Sequence, residues 1–115
     1  MASFAIKDNY MKILITGAAG FIGSNLVKAV FGQMPGAVVL GIDNMNDYYD
    51  VRLKEERLKE LEGYAGFSFV QGNIADKALI DKAFAEFKPQ IVVNLAAQAG
   101  VRYSITNPGA YIEAN

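Results

Sequence analysis

The chain alternates two hydrophobic rhythms. Four short runs are apolar on both faces or nearly so: Lys12–Thr16, residues 38–42, residues 67–70 and residues 90–95. Runs of this length, bounded by glycine, proline or asparagine, predict strands covered on each side, as in the middle of a parallel sheet. Between them lie segments with a period near 3.6. Over residues 21–31 the apolar positions Ile22, Leu26, Ala29 and Val30 recur, and Gly32, Pro35 and Gly36 end the helix. Over residues 50–62, nine of thirteen residues are charged, yet Val51, Leu58 and Leu61 share a face and Glu55 precedes Lys59 by four. This predicts an exposed helix with a narrow buried stripe; the mixed signs argue against a charged docking surface. A third helix follows Asp76, a suitable N-cap, with Leu79, Ile80, Ala83, Phe84 and Phe87 on its core face and Pro89 blocking its continuation. Asn107 as cap and Pro108 at the first helical position, followed by Ala110, Tyr111 and Ile112, predict the start of a fourth helix.

Strands alternating with helices imply right-handed crossovers and a parallel sheet. The expected fold class is therefore α/β, the first half of a doubly wound sheet with strand order 3-2-1-4. Residues 1–10 carry Lys7, Asp8 and Asn9 among scattered apolar residues without a period. They read as a leader outside the fold, which would occupy residues 11–115, and Met11 could be the natural start. With no fifth strand expected, strand four should be an open edge carrying Ile91, Val92 and Val93, which invites self-association into a homo-oligomer.

The candidate chemistry lies in the turn from Ile15 to Asn25, where a strand passes through Gly17, Gly20 and Gly23 into a helix. Gly17 can turn the backbone out of the strand, Gly20 lets a pyrophosphate approach the main chain, and Gly23 lets the helix sit close on the sheet. Free N–H groups and the positive dipole end of the helix then face the anion. A plain tight turn would use the same glycines, so context decides. Asp43 ends the second strand twenty residues after Gly23. A carboxylate there can accept from both adenosine ribose hydroxyls and repel a 2′-phosphate. No basic residue follows it until Arg52, which favours NAD over NADP. Gly72, Asn73 and Ile74 after strand three, and Ala96, Ala97, Gln98, Ala99 and Gly100 after strand four, reach the same edge. Their small side chains either leave room for a ligand or simply permit close helix packing.

Composition narrows the function further. The chain has 115 residues, 52% hydrophobic and 20% charged, enough for one domain with a substantial core. A net charge of −1 is unlike a nucleic-acid-binding surface. Without cysteine or histidine there is no disulfide, no thiolate metal site and no Ser-His-Asp or Cys-His catalysis within these residues, and no metal is expected. No apolar run approaches the roughly 18 residues of a membrane span, and no secretory signal is evident, so a cytoplasmic protein without a membrane partner is the simplest expectation.

The spacing Gly17-x-x-Gly20-x-x-Gly23 resembles that of the extended short-chain dehydrogenase/reductase superfamily, the NAD-dependent sugar-nucleotide epimerases and dehydratases, whose fold is Rossmann-type. Three stretches narrow the resemblance: GIDNMNDYYDVRLKEERL from Gly41, GNIAD from Gly72 and NLAAQAGVRYSITNPGAYIEAN from Asn94. Together they look most like the UDP-glucuronate 4-epimerases, over nearly everything from Met11 onward. The resemblance implies that Gly17, Gly20, Phe21 and Ile22 contact the pyrophosphate, with Gly23 completing the motif. It implies that Asp43 holds the adenosine ribose with Asn44 beside it, and that Asn73 and Ile74 flank the adenine. Leu95, Ala96 and Ala97 would pass under the nicotinamide half, and Asn115 matches a cofactor-side asparagine. The family usually has Asp where this chain has Asn73, so the adenine amino group would meet a neutral amide oxygen. Arg102 would face an acidic UDP-sugar, unless it pairs with a structural carboxylate.

The related chemistry is an oxidation and its reversal: a tyrosine assisted by a lysine takes the sugar C4 proton as hydride passes to NAD, and hydride then returns to the other face of the 4-keto sugar. No catalytic residue can be assigned, because Tyr-x-x-x-Lys does not occur; Tyr111, the last tyrosine, has Asn115 as its fourth neighbour. The expectation is an N-terminal fragment of an epimerase that binds cofactor without turning over. A nucleotide-sugar 4,6-dehydratase of the same superfamily and a non-catalytic NAD-binding module are the alternatives.

Overall fold

The computed structural model describes residues 11–45 and 51–96 and the backbone of Ala110–Glu113. In chain order the elements are β1 (Lys12–Thr16), α1 (Phe21–Gln33), β2 (Val38–Asp43), α2 (Val51–Leu61), β3 (Phe67–Gln71), α3 (Lys77–Phe87), β4 (Ile91–Asn94) and β5 (Ala110–Glu113). They form one parallel sheet in the order β3-β2-β1-β4-β5. The 3-2-1-4 arrangement expected from the alternation is present, and every strand points its carboxyl end to one edge. The proposed leader lies outside the described residues.

Side-chain alternation along β1 divides the core in two. Ile13 and Ile15, with Val39, meet Val27 and Phe31 of α1 and Leu61 of α2 on one face. Leu14, with Leu40, Ile42 and Val92, meets Ile80 of α3 and Ile74 on the other. Leu14, Ile15, Val39, Ile42, Val27 and Leu61 are fully buried. Burial of a side chain of this size contributes roughly 1.5–3 kcal/mol, so the sheet is held from both sides. Phe31 also stacks on Tyr64, with ring centroids 4.7 Å apart, tying the end of α1 to the turn before β3.

Four expectations are corrected. The C-terminal helix is instead β5, whose Ala110 to Glu113 stand opposite Ile91 to Asn94 of β4. The edge of β4 would otherwise carry a row of unpaired backbone groups, and pairing it outweighs a local helix-start signal, particularly where Tyr and Ile favour extended backbone. The same pairing covers the edge on which self-association was expected. The buried face of α1 is also shifted: Gly23, Ser24, Val27 and Phe31 face inward while Ile22 is 68% exposed. In α2 the stripe narrows to Leu61, with Leu58 half-buried and Val51 exposed. By contrast α3 keeps its expected face, and the Asp76 side chain caps it by accepting from the Leu79 N–H at 3.2 Å. Among the described residues no helix is long and apolar enough to cross a membrane.

Candidate functional site

The ends of β1, β2 and β4 meet at the start of α1. Gly17 leaves β1 with φ of +74°, and a Cβ there would lie 3.0 Å from both the Ala96 nitrogen and the Leu95 carbonyl carbon. Only glycine takes that backbone conformation at low cost while letting the segment after β4 come so close. The turn's own amides are then spent on holding it. Gly17 and Ala18 donate to the Ile42 carbonyl at 2.7 and 3.3 Å, Ala19 donates to Asp43 Oδ2 at 3.0 Å, and Gly20 donates to the Gly17 carbonyl at 3.1 Å.

The helical ladder begins with Ser24 N–H to Gly20 O at 2.9 Å. The N–H groups of Phe21, Ile22 and Gly23 therefore precede it and have no intrahelical acceptor. Gly20 is the N-cap, makes no side-chain cap, and the first turn carries no acidic residue. The result is a patch of unspent donors at the positive end of a thirteen-residue helix, suited to an anion. Gly17 and Gly20 thus shape the turn, whereas Phe21, Ile22 and Gly23 present the donors. Gly23 has a further role beside the close approach to the sheet expected for it. A Cβ there would fall 2.1 Å from the Gly17 carbonyl oxygen, so this glycine lets the helix sit on its own entry turn.

Asp43 faces that turn from the end of β2 and is 4% exposed. Its Oδ1 accepts from the Met45 N–H at 2.8 Å and from Lys54 Nζ at 2.9 Å, while Oδ2 holds Ala19. This corrects the expectation that nothing basic stands near Asp43. Lys54, in the first turn of α2, stands beside the carboxylate. Arg57, one turn further on, donates to the Ala19 carbonyl at 3.4 Å and lies 5.8 Å from the centre of the Phe21 ring.

The remaining expected positions divide. Asn44 is exposed next to Asp43. Asn73 is exposed, and its side-chain oxygen accepts from the Ala75 N–H at 2.8 Å, fixing the turn after β3. Ile74 is buried against Leu14 and Ile80, so its side chain belongs to the core. Leu95 and Ala96 reach the site through Thr16, whose hydroxyl accepts from their N–H groups at 3.1 and 3.3 Å and donates to the Asn94 side-chain oxygen. Ala97, Arg102 and Asn115 lie outside the described residues. Thr16, Asn94, Lys54 and Arg57 were not picked out by the sequence reading. Thr16 and Asn94 did leave a signal, each being the polar residue that ends an apolar strand. Among the described residues no group of three or more acidic side chains gathers to hold a metal.

Comparison with known proteins agrees with this geometry. A probable UDP-glucuronate 4-epimerase of Rhizobium meliloti is 47% identical over 91% of the chain and 30% of its own length. The crystal structure of the UDP-glucuronic acid 4-epimerase of Bacillus cereus with UDP-glucuronic acid and NAD is matched at a TM-score of 0.67 and 36% identity. That match covers 86% of this chain and 30% of that one. The dTDP-glucose 4,6-dehydratase of Bacillus anthracis, in complex with NAD, matches at a TM-score of 0.67 and 29% identity, over 77% and 27%. The chain spans about 30% of the length of the first curated relatives it matches. Residues 14–115 match the family model described as GDP-mannose 4,6 dehydratase, and the chain belongs to that family, within the NAD-dependent epimerase/dehydratase superfamily.

Proposed function

We propose that this chain is the NAD-binding part of a sugar-nucleotide epimerase that interconverts UDP-glucuronate and UDP-galacturonate through a transient 4-keto sugar. The observation that carries the reading is the set of unspent amides at Phe21, Ile22 and Gly23, with the Asp43 carboxylate one strand away. The diphosphate rests on those amides. The adenosine ribose meets Asp43, the adenine passes beside Asn73, and the nicotinamide half runs toward Leu95, Ala96 and Ala97. Bound there, NAD supplies a hydride acceptor for C4 of the sugar. The chain's own residues bind and orient it, and Arg102 contacts the acidic sugar. With no Tyr-x-x-x-Lys in its sequence, the 115-residue chain binds without turnover.

The epimerase reading is supported by relatives and solved structures that carry that name at 36–47% identity. The second reading, a nucleotide-sugar 4,6-dehydratase, is favoured by the family description and by the Bacillus anthracis match at 29%. Calorimetric titration of NAD into the chain tests the cofactor role. A single site is expected, weakened about tenfold by Asp43→Asn because hydrogen bonds to a charged group contribute roughly 1.5–3 kcal/mol. Absence of binding would refute it. In a longer protein carrying this chain, conversion of UDP-glucuronate supports the epimerase, and loss of water from a neutral nucleotide hexose assigns the dehydratase.

A further inference from the structure

The cations that α1 and α2 hold around the glycine turn are not all met by acids. Lys28 pairs with Glu60, and Lys54 pairs with Asp43. Arg57, one turn after Lys54, differs: among the described residues no carboxylate lies within ion-pair distance of it. Its guanidinium instead donates to the Ala19 carbonyl at 3.4 Å and stands 5.8 Å from the centre of the Phe21 ring. Among the described residues that long bond engages one of its five N–H donors. Arg57 is half-buried, and holding a charge partly out of water without an opposite charge costs free energy. An anion arriving at the turn would offset that cost.

Chain geometry sets how far this cation stands from the open amides. One residue separates the Ala19 carbonyl oxygen from the Phe21 nitrogen, a span of at most about 5 Å. With Arg57 3.4 Å from that oxygen, its bonded nitrogen lies within about 8 Å of the Phe21 N–H, the first of the three donors without an intrahelical acceptor. A helix start offers an anion roughly half an elementary charge, whereas a diphosphate carries two negative charges. Arg57 supplies a full positive charge within about one Debye length of the same place. The Phe21 ring, itself 68% exposed, and the Ala19 carbonyl hold the guanidinium against the turn that presents those amides.

We propose that Arg57 is the cationic side of the diphosphate cradle: held on the glycine turn by Ala19 and Phe21, its guanidinium supplies the charge that the amides of Phe21, Ile22 and Gly23 lack. The inference rests on the dinucleotide reading of the site and adds to it a binding residue from α2, outside the glycine motif. The choice of NAD at Asp43 is untouched by it, because the group addressed is the diphosphate.

Titration of NAD and of adenosine into the chain and into Arg57→Met, Arg57→Gln and Arg57→Lys tests it, with far-UV circular dichroism to confirm folding and nuclear magnetic resonance to follow the weaker adenosine. Arg57→Met should weaken NAD by about three- to thirtyfold, the range given by a unit charge about 8 Å away between water-like and surface-like screening. Adenosine, which lacks the diphosphate, should change by less than about twofold. Arg57→Lys should stay within about threefold of the parent for NAD, since a lysine still meets phosphate as a point charge. Raising the salt should weaken NAD more steeply in the parent than in Arg57→Met. If Arg57→Met does not fold, Arg57→Gln, which keeps a donor for Ala19 without the charge, reads the same loss. A mere strut between α2 and the turn would instead lose NAD and adenosine together, leave the salt dependence as in the parent, and be rescued by Arg57→Gln. That pattern, or unchanged NAD affinity in a folded neutral variant, overturns the proposal while leaving NAD binding intact. Failure of the parent chain to bind NAD would bring down the reading of the site itself.

Discussion

Two glycines of the same helix should respond in opposite directions to one added methyl group. At Gly23 a Cβ would lie 2.1 Å from the Gly17 carbonyl oxygen, 2.9 Å from its carbonyl carbon and 3.0 Å from the Ala18 Cα. All three are main-chain atoms, so no side chain can rotate away. The Gly17 carbonyl is also the acceptor for Gly20 N–H, and Gly17 itself is fixed to the Ile42 carbonyl at 2.7 Å. Relief therefore requires lifting the first turn of α1 off the strand end. Overpacking of this kind costs about 1–3 kcal/mol and occasionally more, and contact with backbone places Gly23→Ala at the upper end. Against it stands the gain in helix propensity, roughly 0.8–1 kcal/mol for Gly to Ala in a helix interior. The balance is a loss of about 2 kcal/mol, a fall in melting temperature of roughly 5–10 °C for a domain of this size. At Gly32, still within α1, a Cβ would meet nothing within 4 Å. Gly32→Ala should thus keep only the propensity term and stabilise by a few tenths to about 1 kcal/mol, less at a helix end than in its interior. Urea denaturation of both variants beside the parent measures the contrast, and NAD titration adds a second readout. Gly23→Ala should also lose affinity, because the Phe21, Ile22 and Gly23 amides move with the lifted turn. A Gly23→Ala protein as stable as Gly32→Ala would refute the account of how α1 seats on its turn.

Two further substitutions test the supports of the site. Thr16→Val removes the buried hydroxyl that serves Leu95, Ala96 and Asn94 at once; the Leu95 N–H keeps the Thr16 carbonyl at 3.2 Å, so the loss falls mainly on the Ala96 N–H and should cost about 1–3 kcal/mol, and an unchanged urea midpoint would contradict the role given to Thr16. Asp76→Ala deletes the cap of α3 and should lower stability by about 1 kcal/mol, seen as a small drop in melting temperature with NAD binding unaltered, since α3 packs on the face of the sheet away from α1.

How much of this was legible in the sequence depended on how far apart the deciding residues lie. The strands could be read because Ile13, Leu14 and Ile15 are apolar on both faces, and a strand covered on both sides has no other way to look. The cap at Asp76 could be read because its cause lies three residues away, and the turn at Gly17 because the glycine spacing marks it, although what crowds Gly17 is the segment after β4. The face of α1 was misread because its inward side opens with Gly23 and Ser24. Neither counts as hydrophobic, yet their smallness is what brings Val27 and Phe31 onto the sheet and leaves Ile22 outside. The C-terminal strand was missed because Asn107 and Pro108 give a local helix signal, whereas the edge of β4 that claims Ala110–Glu113 is a property of the assembled sheet.

Lys54 belongs to this second kind, because its partner is set by the fold and not by the order of residues. Scanning forward from Asp43, the first cation is Arg52, nine residues away, and the carboxylate looks bare. In the fold, the start of α2 lies beside the strand end, so that eleven residues of separation become 2.9 Å. The argument from an acid to a preference for NAD assumes that its charge stands uncompensated, which is a statement about neighbours in space. A strand-end acid is therefore to be read together with the helix that follows it, which here sets Lys54 against Asp43.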